Sequence, residues 1–295
     1  MTNQLIIGFI GLGVMGEPMC RNLARKSGAP VIALDLRPEP LARLAADGVA
    51  AATSVREIVE HAAVIMLSLP SGSEVEAICA GEGGLLARSR RGQTVIDLGT
   101  STVRLMRELA EKLGARGVDF ADAPVARTRA AAEAGTLSVM VGASETTFRR
   151  IEPLLKTFAT EITHCGNIGA GQLTKILNNM VLFETGVALA EALALARRGS
   201  LDPALLLSTL AKGSADSFAL RNHGIKAMLP GNFPERAFSA RYALKDITYA
   251  LECAADAGLE LGGAELARAR LQQAIAQGFG EQYWPVIAKV IGEEK

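Results

Sequence analysis

Three glycines, Gly11, Gly13 and Gly16, sit in the hexapeptide GLGVMG, which follows the apolar run Leu5 to Ile10 and opens a helical pattern. A glycine in the first position permits a tight turn. In the second it lets backbone approach a diphosphate, and in the third it allows a helix to pack closely on a strand. The diphosphate then meets the positive end of the helix. Gly11, Leu12, Gly13, Val14, Met15 and Gly16 are therefore the first candidate cofactor contacts. Roughly twenty residues on, the run Val31 to Leu34 ends in Asp35, whose carboxylate can accept hydrogen bonds from both ribose hydroxyls. The same carboxylate repels a 2′-phosphate, which points to NAD; Arg37 could pair with that phosphate, which leaves NADP as a second cofactor. Far downstream, Lys175 and Asn179 stand one helical turn apart in an apolar segment, so an ammonium and an amide share a face. A carbonyl reduced by hydride develops negative charge on oxygen, which an ammonium can bond and then protonate. On the residues alone, a lysine snorkelling from the rim beside an asparagine that satisfies backbone fits equally well.

The elements that must position these groups follow from the apolar runs. Short runs recur at Val64 to Leu69, Val95 to Leu98, Val118 to Ala121, Leu137 to Val141 and Ile162 to His164, most of them separated by helical patterns. This alternation predicts a mainly parallel, doubly wound α/β sheet with ligands at the C-terminal strand ends, which directs attention to Leu69-Pro70 and Gly99-Thr100. From Gly171 to Arg198 the pattern becomes one long helix, apolar almost all round, which predicts a helix buried between bodies and surface buried between subunits. Gly199 ends it, and Asp202 to Ile291 reads as helical throughout. The expected organisation is an N-terminal Rossmann domain over residues 1–166, joined by the long helix to an all-α domain for substrate binding and oligomerisation over residues 167–295.

Composition excludes several classes. Lys plus Arg equals Asp plus Glu at 31 each, so no global field favours nucleic acid or acidic lipid. Aromatic residues make up 4% and are scattered, which leaves no platform for stacking bases. Cys20, Cys79, Cys165 and Cys253 lie far apart without a CxxC pair, so reduced, buried thiols are expected and neither a zinc site nor a disulfide framework. His61, His164 and His223 share no ligand spacing, so no metal is expected. The opening MTNQ lacks the basic residues of a secretion signal, and no unbroken apolar run has membrane-spanning length; a soluble cytoplasmic enzyme is expected. Asp119 and Asp122 flank a buried strand and read as capping or backbone-supporting groups.

The motifs GFIGLGVMGEPMCRNL at Gly8 to Leu23, DAPV at Asp122 to Val125, GTLSVMVG at Gly135 to Gly142, GAGQLTKILNN at Gly169 to Asn179 and LKD at Leu244 to Asp246 together resemble the β-hydroxyacid dehydrogenases nearly end to end. That resemblance implies an NAD(P)-dependent oxidoreductase acting on CH–OH groups, with Lys175 as acid/base and Asn179 as its companion. It further implies Lys245 near the nicotinamide, cofactor contacts at Leu69, Pro70 and Thr100, and a homodimer or homotetramer. It places Ser214, Ser217, Phe218 and Asn222 in a region that lines the substrate cleft.

Two departures from the family pattern bear on substrate. Where the family has SGG after DxPV, this chain has Ala126-Arg127-Thr128, similar to the GRT-type loop of sulfolactaldehyde reductases. A guanidinium, a hydroxyl and backbone N–H groups suit the three acceptor oxygens of a sulfonate. The expected reaction is hydride transfer on a short 3-hydroxy acid or aldehyde acid, with 3-sulfolactaldehyde and 2,3-dihydroxypropane-1-sulfonate as the pair. The alternatives are a 3-hydroxyisobutyrate dehydrogenase, a tartronate semialdehyde (2-hydroxy-3-oxopropionate) reductase, or a nucleotide-binding relative without catalysis. The second departure is GTST at Gly99 to Thr102 in place of STxxP; Thr100 keeps a cofactor role and Ser101 is given none.

Overall fold

A computed structural model describes residues 5–235 and 237–291. The sequence reading of MTNQ falls on residues 1–4, outside the described residues. The chain divides into two compact units, Met1–Lys175 and Ile176–Lys295.

The first unit alternates β1 (Ile7–Ile10), α1 (Gly16–Lys26), β2 (Val31–Leu34), α2 (Pro38–Ala45), β3 (Ala50–Ala51), α3 (Val55–His61), β4 (Val64–Leu67), α4 (Gly72–Ala80), α5 (Leu85–Arg88), β5 (Thr94–Asp97), α6 (Val103–Gly114) and β6 (Asp119–Asp122). It continues through β7 (Val125–Ala126), α7 (Arg129–Ala134), β8 (Leu137–Gly142), α8 (Glu145–Leu155) and β9 (Ala159–Gly166) into the first turns of α9 (Ala170–Arg198). The strands form one sheet in the order β3-β2-β1-β4-β5-β6-β8-β7, with β9 on β8. Pairing is parallel from β3 to β6 and between β8 and β9, and antiparallel where β8 meets β6 and β7. Along β4, Val64 and Met66 enter one core while Ile65 and Leu67 enter the other. That two-sided burial is why β4 reads as an unbroken apolar run rather than an alternating one. The helices close these cores with one face each. In α6, Thr102 caps the first turn by accepting from Leu105 N–H at 3.2 Å, and Met106, Leu109 and Leu113 make the buried stripe.

The second unit carries the rest of α9, then α10 (Pro203–Leu210), a π-helical stretch (Leu220–Met228), α11 (Ala240–Asp256), α12 (Gly262–Ala274) and α13 (Ile287–Val290). The bridges Glu235–Gln282 and Ser239–Tyr283 are single residue pairs. Trp284 is fully buried, with its ring edge-on to Phe183 at 5.1 Å and beside His223 at 4.9 Å. Gly186 makes room for it, since a Cβ there would lie 2.5 Å from the indole. Burial pushes His223 down to about 4, so the ring is neutral near pH 7, with Nδ1 2.7 Å from the Tyr283 hydroxyl.

Two expectations hold only in part. Within one chain the long helix is only partly covered: Ile176, Phe183 and Leu193 are core residues, but Leu173, Leu177, Val181 and Leu195 are exposed. An apolar composition sets no direction, and within one chain only one side of α9 finds core partners. By length and composition alone α9 is apolar enough to cross a membrane, and 44% of its most apolar stretch is buried within the chain. Of the four thiols, Cys20 and Cys79 are buried, whereas Cys165 and Cys253 are half-buried.

Candidate active site

The glycine turn leaves the C-terminal end of β1, and each glycine meets a different constraint. Gly11 takes φ +95°, and a Cβ there would collide with the carbonyl of Ser68. A Cβ on Gly16 would collide with the carbonyl of Gly11, so α1 starts against the turn itself. A Cβ on Gly13 would meet nothing within 4 Å, which leaves the turn open to solvent at that position. Met15, before the first residue of α1, makes no side-chain cap, so no side chain there competes with an anion for that helix end.

Asp35 closes the other side of the turn. Its Oδ2 accepts from Leu12 N–H at 2.6 Å, and its Oδ1 accepts from Arg37 N–H at 2.9 Å and Arg37 Nε at 3.2 Å. Burial raises the carboxyl, but the bonds from Arg37 and Leu12 outweigh it and hold the group below the usual carboxylate range. Arg37 also donates from Nη2 to the Leu12 carbonyl at 3.2 Å, so its guanidinium lies folded along the turn. Leu69 and Pro70 follow β4, and Thr100 follows β5. These two loops approach closely, since a Cβ on Gly99 would lie 3.1 Å from the Leu69 carbonyl. A tight turn, an uncapped helix end and an ionised carboxylate just beyond β2 fit a dinucleotide, which when bound would supply or take up a hydride.

The loop after β6 brings the anion candidates. Ala126 ends β7, and Arg127 beyond it is exposed and takes φ +86°, a glycine-like conformation that is strained for a side chain with a Cβ. Its Nη1 donates to the Thr136 carbonyl at 2.6 Å and to Thr160 Oγ1 at 3.3 Å, and it makes no ion pair among the described residues. Thr128 caps α7, its hydroxyl accepting from Ala131 N–H at 3.4 Å. Lys175, half-buried in the second turn of α9, is the last residue of the first unit.

Within the second unit, Asn179 is buried and its Nδ2 donates to Asp246 Oδ2 at 2.6 Å. Lys245 Nζ lies 3.1 Å from Asp246 Oδ1 and 5.1 Å from the centre of the Tyr249 ring. The amide of Asn179 is thus engaged by a buried carboxylate that the sequence reading gave no role. Ser217 Oγ accepts from Leu220 N–H at 3.0 Å, while Asn222 donates to the Phe218 carbonyl and accepts from Lys226.

Comparison with known proteins identifies this arrangement. Residues 6–166 match the NAD binding domain of 6-phosphogluconate dehydrogenase, and residues 169–290 match the NAD-binding domain of NADP-dependent 3-hydroxyisobutyrate dehydrogenase. The chain belongs to the β-hydroxyacid dehydrogenase family. The 2-(hydroxymethyl)glutarate dehydrogenase of Eubacterium barkeri is 35% identical over 294 residues, 98% of this chain and 96% of that protein. The 3-hydroxyisobutyrate dehydrogenase of Pseudomonas aeruginosa is 39% identical over 237 residues, 80% of this chain and 78% of that protein. Among solved structures, the 3-hydroxyisobutyrate dehydrogenase of Mycobacterium tuberculosis with L-serine superimposes with a TM-score of 0.88 at 31% identity, covering 97% of this chain and 99% of that one. This β-hydroxyacid dehydrogenase is accordingly an NAD-dependent oxidoreductase acting on the CH–OH group of small hydroxyacids.

The sequence reading passed over four polar residues of this dehydrogenase. Asp97, Gln172 and Asp246 were given no role. Ser101, set aside because it did not match the family pattern, is buried and donates to Asp97. Asp122 supports backbone as expected, accepting from the N–H groups of Gly169 and Gln172, both at 2.7 Å. Asp119 pairs with Arg150. A polar residue at the end of a buried apolar run was the one available signal, present at Asp97 and at Asp122.

Proposed function

We propose that this dehydrogenase interconverts 3-sulfolactaldehyde and 2,3-dihydroxypropane-1-sulfonate, with NAD as its first cofactor and some tolerance of NADP. The observation that carries the reading is Arg127, an arginine held at φ +86° where glycine would be unstrained. Strain of about 1–2 kcal/mol in this loop implies that the side chain is worth keeping. Two of its five N–H donors serve Thr136 and Thr160, and the guanidinium keeps a fork for a sulfonate. Ala126 and Thr128 complete the anion site.

In the reducing direction Lys175 Nζ donates a hydrogen bond to the aldehyde oxygen and gives up its proton as negative charge develops there. Asn179, one turn along α9, keeps the substrate or the lysine in register. Gly11, Leu12, Gly13, Val14, Met15, Gly16, Asp35, Arg37, Leu69, Pro70, Thr100 and Lys245 hold the cofactor. The enzyme works in the cytoplasm as a homodimer or homotetramer, with residues 1–166 as its cofactor domain and residues 167–295, which include all of α9, as its substrate and oligomerisation domain.

The 39% identity to a 3-hydroxyisobutyrate dehydrogenase favours one other reading, in which the same loop binds a carboxylate. Steady-state rates with 3-sulfolactaldehyde, tartronate semialdehyde and methylmalonate semialdehyde decide between them. The sulfonate should give the highest kcat/KM, and equal or better values with the carboxylates would remove the sulfonate assignment. Lys175→Ala should lower kcat by about 100- to 10,000-fold while NADH still binds; preserved turnover would overturn its role and favour a relative whose acid lies elsewhere.

A further inference from the structure

Four polar side chains lie buried where the ends of β5 and β6 meet the first turn of α9: Asp97, Ser101, Asp122 and Gln172. Asp122 holds the turn by its backbone, through the N–H groups of Gly169 and Gln172. The Gln172 side chain reaches the other way. Its oxygen accepts from Ser101 N–H at 3.0 Å, and its nitrogen donates to the Gly99 carbonyl at 2.9 Å and to Asp97 Oδ2 at 3.3 Å. Ser101 Oγ donates to the same Asp97 oxygen at 3.2 Å. The amide can sit only one way, because its oxygen faces a donor and its nitrogen faces two acceptors.

We propose that Gln172 is a positioning residue for the hydride-transfer reaction, clamping the Gly99–Ser101 loop to the first turn of α9, immediately before the turn from which Lys175 projects. The cofactor loop and the proton donor are thereby held as one piece. The inference rests on the roles given above to Thr100 and Lys175. Thr100 lies between the two backbone groups that Gln172 holds, Gly99 C=O and Ser101 N–H. Lys175 lies three residues after Gln172, so fixing that first turn sets the direction in which the lysine leaves the helix. The bonds to Ser101 N–H and Asp97 are buried, so solvent does not replace them when Gln172 is changed, while the bond to the Gly99 carbonyl is part-buried. The titratable groups nearest Gln172 are Asp97 on β5, which its amide bonds, and Asp122 on β6, which accepts from its backbone N–H; Lys175 follows three residues on along α9.

The test uses two substitutions of nearly equal volume. Gln172→Met removes all three bonds; kcat/KM should fall at least tenfold and the NADH dissociation constant from titration calorimetry should rise at least threefold, with the melting temperature moving by a few degrees. Gln172→Glu restores a donor only when protonated, because a carboxylate there would face Asp97 and the Gly99 carbonyl. Its activity relative to the unaltered enzyme should therefore rise as pH falls from about 8 to about 6, the range in which a buried carboxyl beside a like charge titrates. A residue that merely fills space would give no such profile. Wild-type kcat and NADH affinity in Gln172→Met, or a flat activity ratio in Gln172→Glu, overturns the proposal. If Gln172→Met does not fold, the Gln172→Glu profile decides alone. Lys175→Ala run alongside separates the two failures: a dead lysine variant with an unaffected Gln172→Met sinks the clamp only, and an active one sinks the reading of Lys175.

Discussion

Replacing Arg127 with glycine separates the cost of the anion loop from its use. At φ +86° the arginine backbone is strained by about 1–2 kcal/mol, which glycine relieves. Against that, the variant loses hydrogen bonds to the Thr136 carbonyl and Thr160 Oγ1, exposed and together worth about 1–2 kcal/mol. It also gains freedom in the unfolded chain, worth a further 0.4–1 kcal/mol or so. The sum runs from about 0.6 kcal/mol of stabilisation to about 2 kcal/mol of destabilisation and centres below about 1 kcal/mol, a melting shift of a few degrees. A charged hydrogen-bond partner for the substrate anion is worth about 1.5–3 kcal/mol, which corresponds to roughly 10- to 150-fold in kcat/KM. Arg127→Gly should therefore melt within a few degrees of the unaltered protein, lose that factor with 3-sulfolactaldehyde, and lose less with the carboxylate semialdehydes. Thermal melts and steady-state kinetics on all three aldehydes measure each part. An unchanged sulfonate rate, or an equal loss with every anion, would refute the assignment of Arg127.

Asp35→Ser removes the carboxylate that Arg37 now leans on, so the guanidinium is released toward a 2′-phosphate; the ratio of kcat/KM with NADPH to that with NADH should rise at least tenfold, and no change would remove Asp35 from cofactor choice. Asp122 gives a pH signature. Burial pushes its carboxyl from 3.8 up to about 7, against the pull of the two N–H bonds. The folded state thus binds the proton more tightly than the unfolded state, and the stability this contributes at low pH is lost as pH rises between 3.8 and about 7. Asp122→Asn lacks the titration, so the stability of the unaltered protein minus that of the variant should shrink by a few kcal/mol across this window in urea melts. A gap that widens as pH rises would contradict it.

Much of the nucleotide half was legible because its signals are local. The glycine turn, the β2 terminus at Asp35 and the buried runs of β1, β4 and β5 each fit within a few residues, where backbone sterics and two-sided burial leave a clear pattern. What escaped was long-range or very short. Gln172 meets Ser101 and Gly99 only after the chain has folded, and nothing in the sequence around Gln172 marks it as other than a surface glutamine. The two-residue strands β3 and β7 are too brief for any periodicity. The reversal of β8 against β6 depends on tertiary pairing that alternation along a chain does not encode. In the second unit, Asp246 looked like one more charge on a helix until its burial against Asn179 was known.

The packing around Trp284 has a spectroscopic consequence. The chain has one tryptophan and three tyrosines, and Tyr242, Tyr249, Tyr283 and Trp284 all belong to the second unit. Intrinsic emission and near-ultraviolet dichroism therefore come almost wholly from the helical half, while far-ultraviolet dichroism comes from both. A melt followed by both probes would resolve the two halves without any added label: coincident midpoints would mean they unfold as one cooperative body, and separate midpoints would give the order in which they let go.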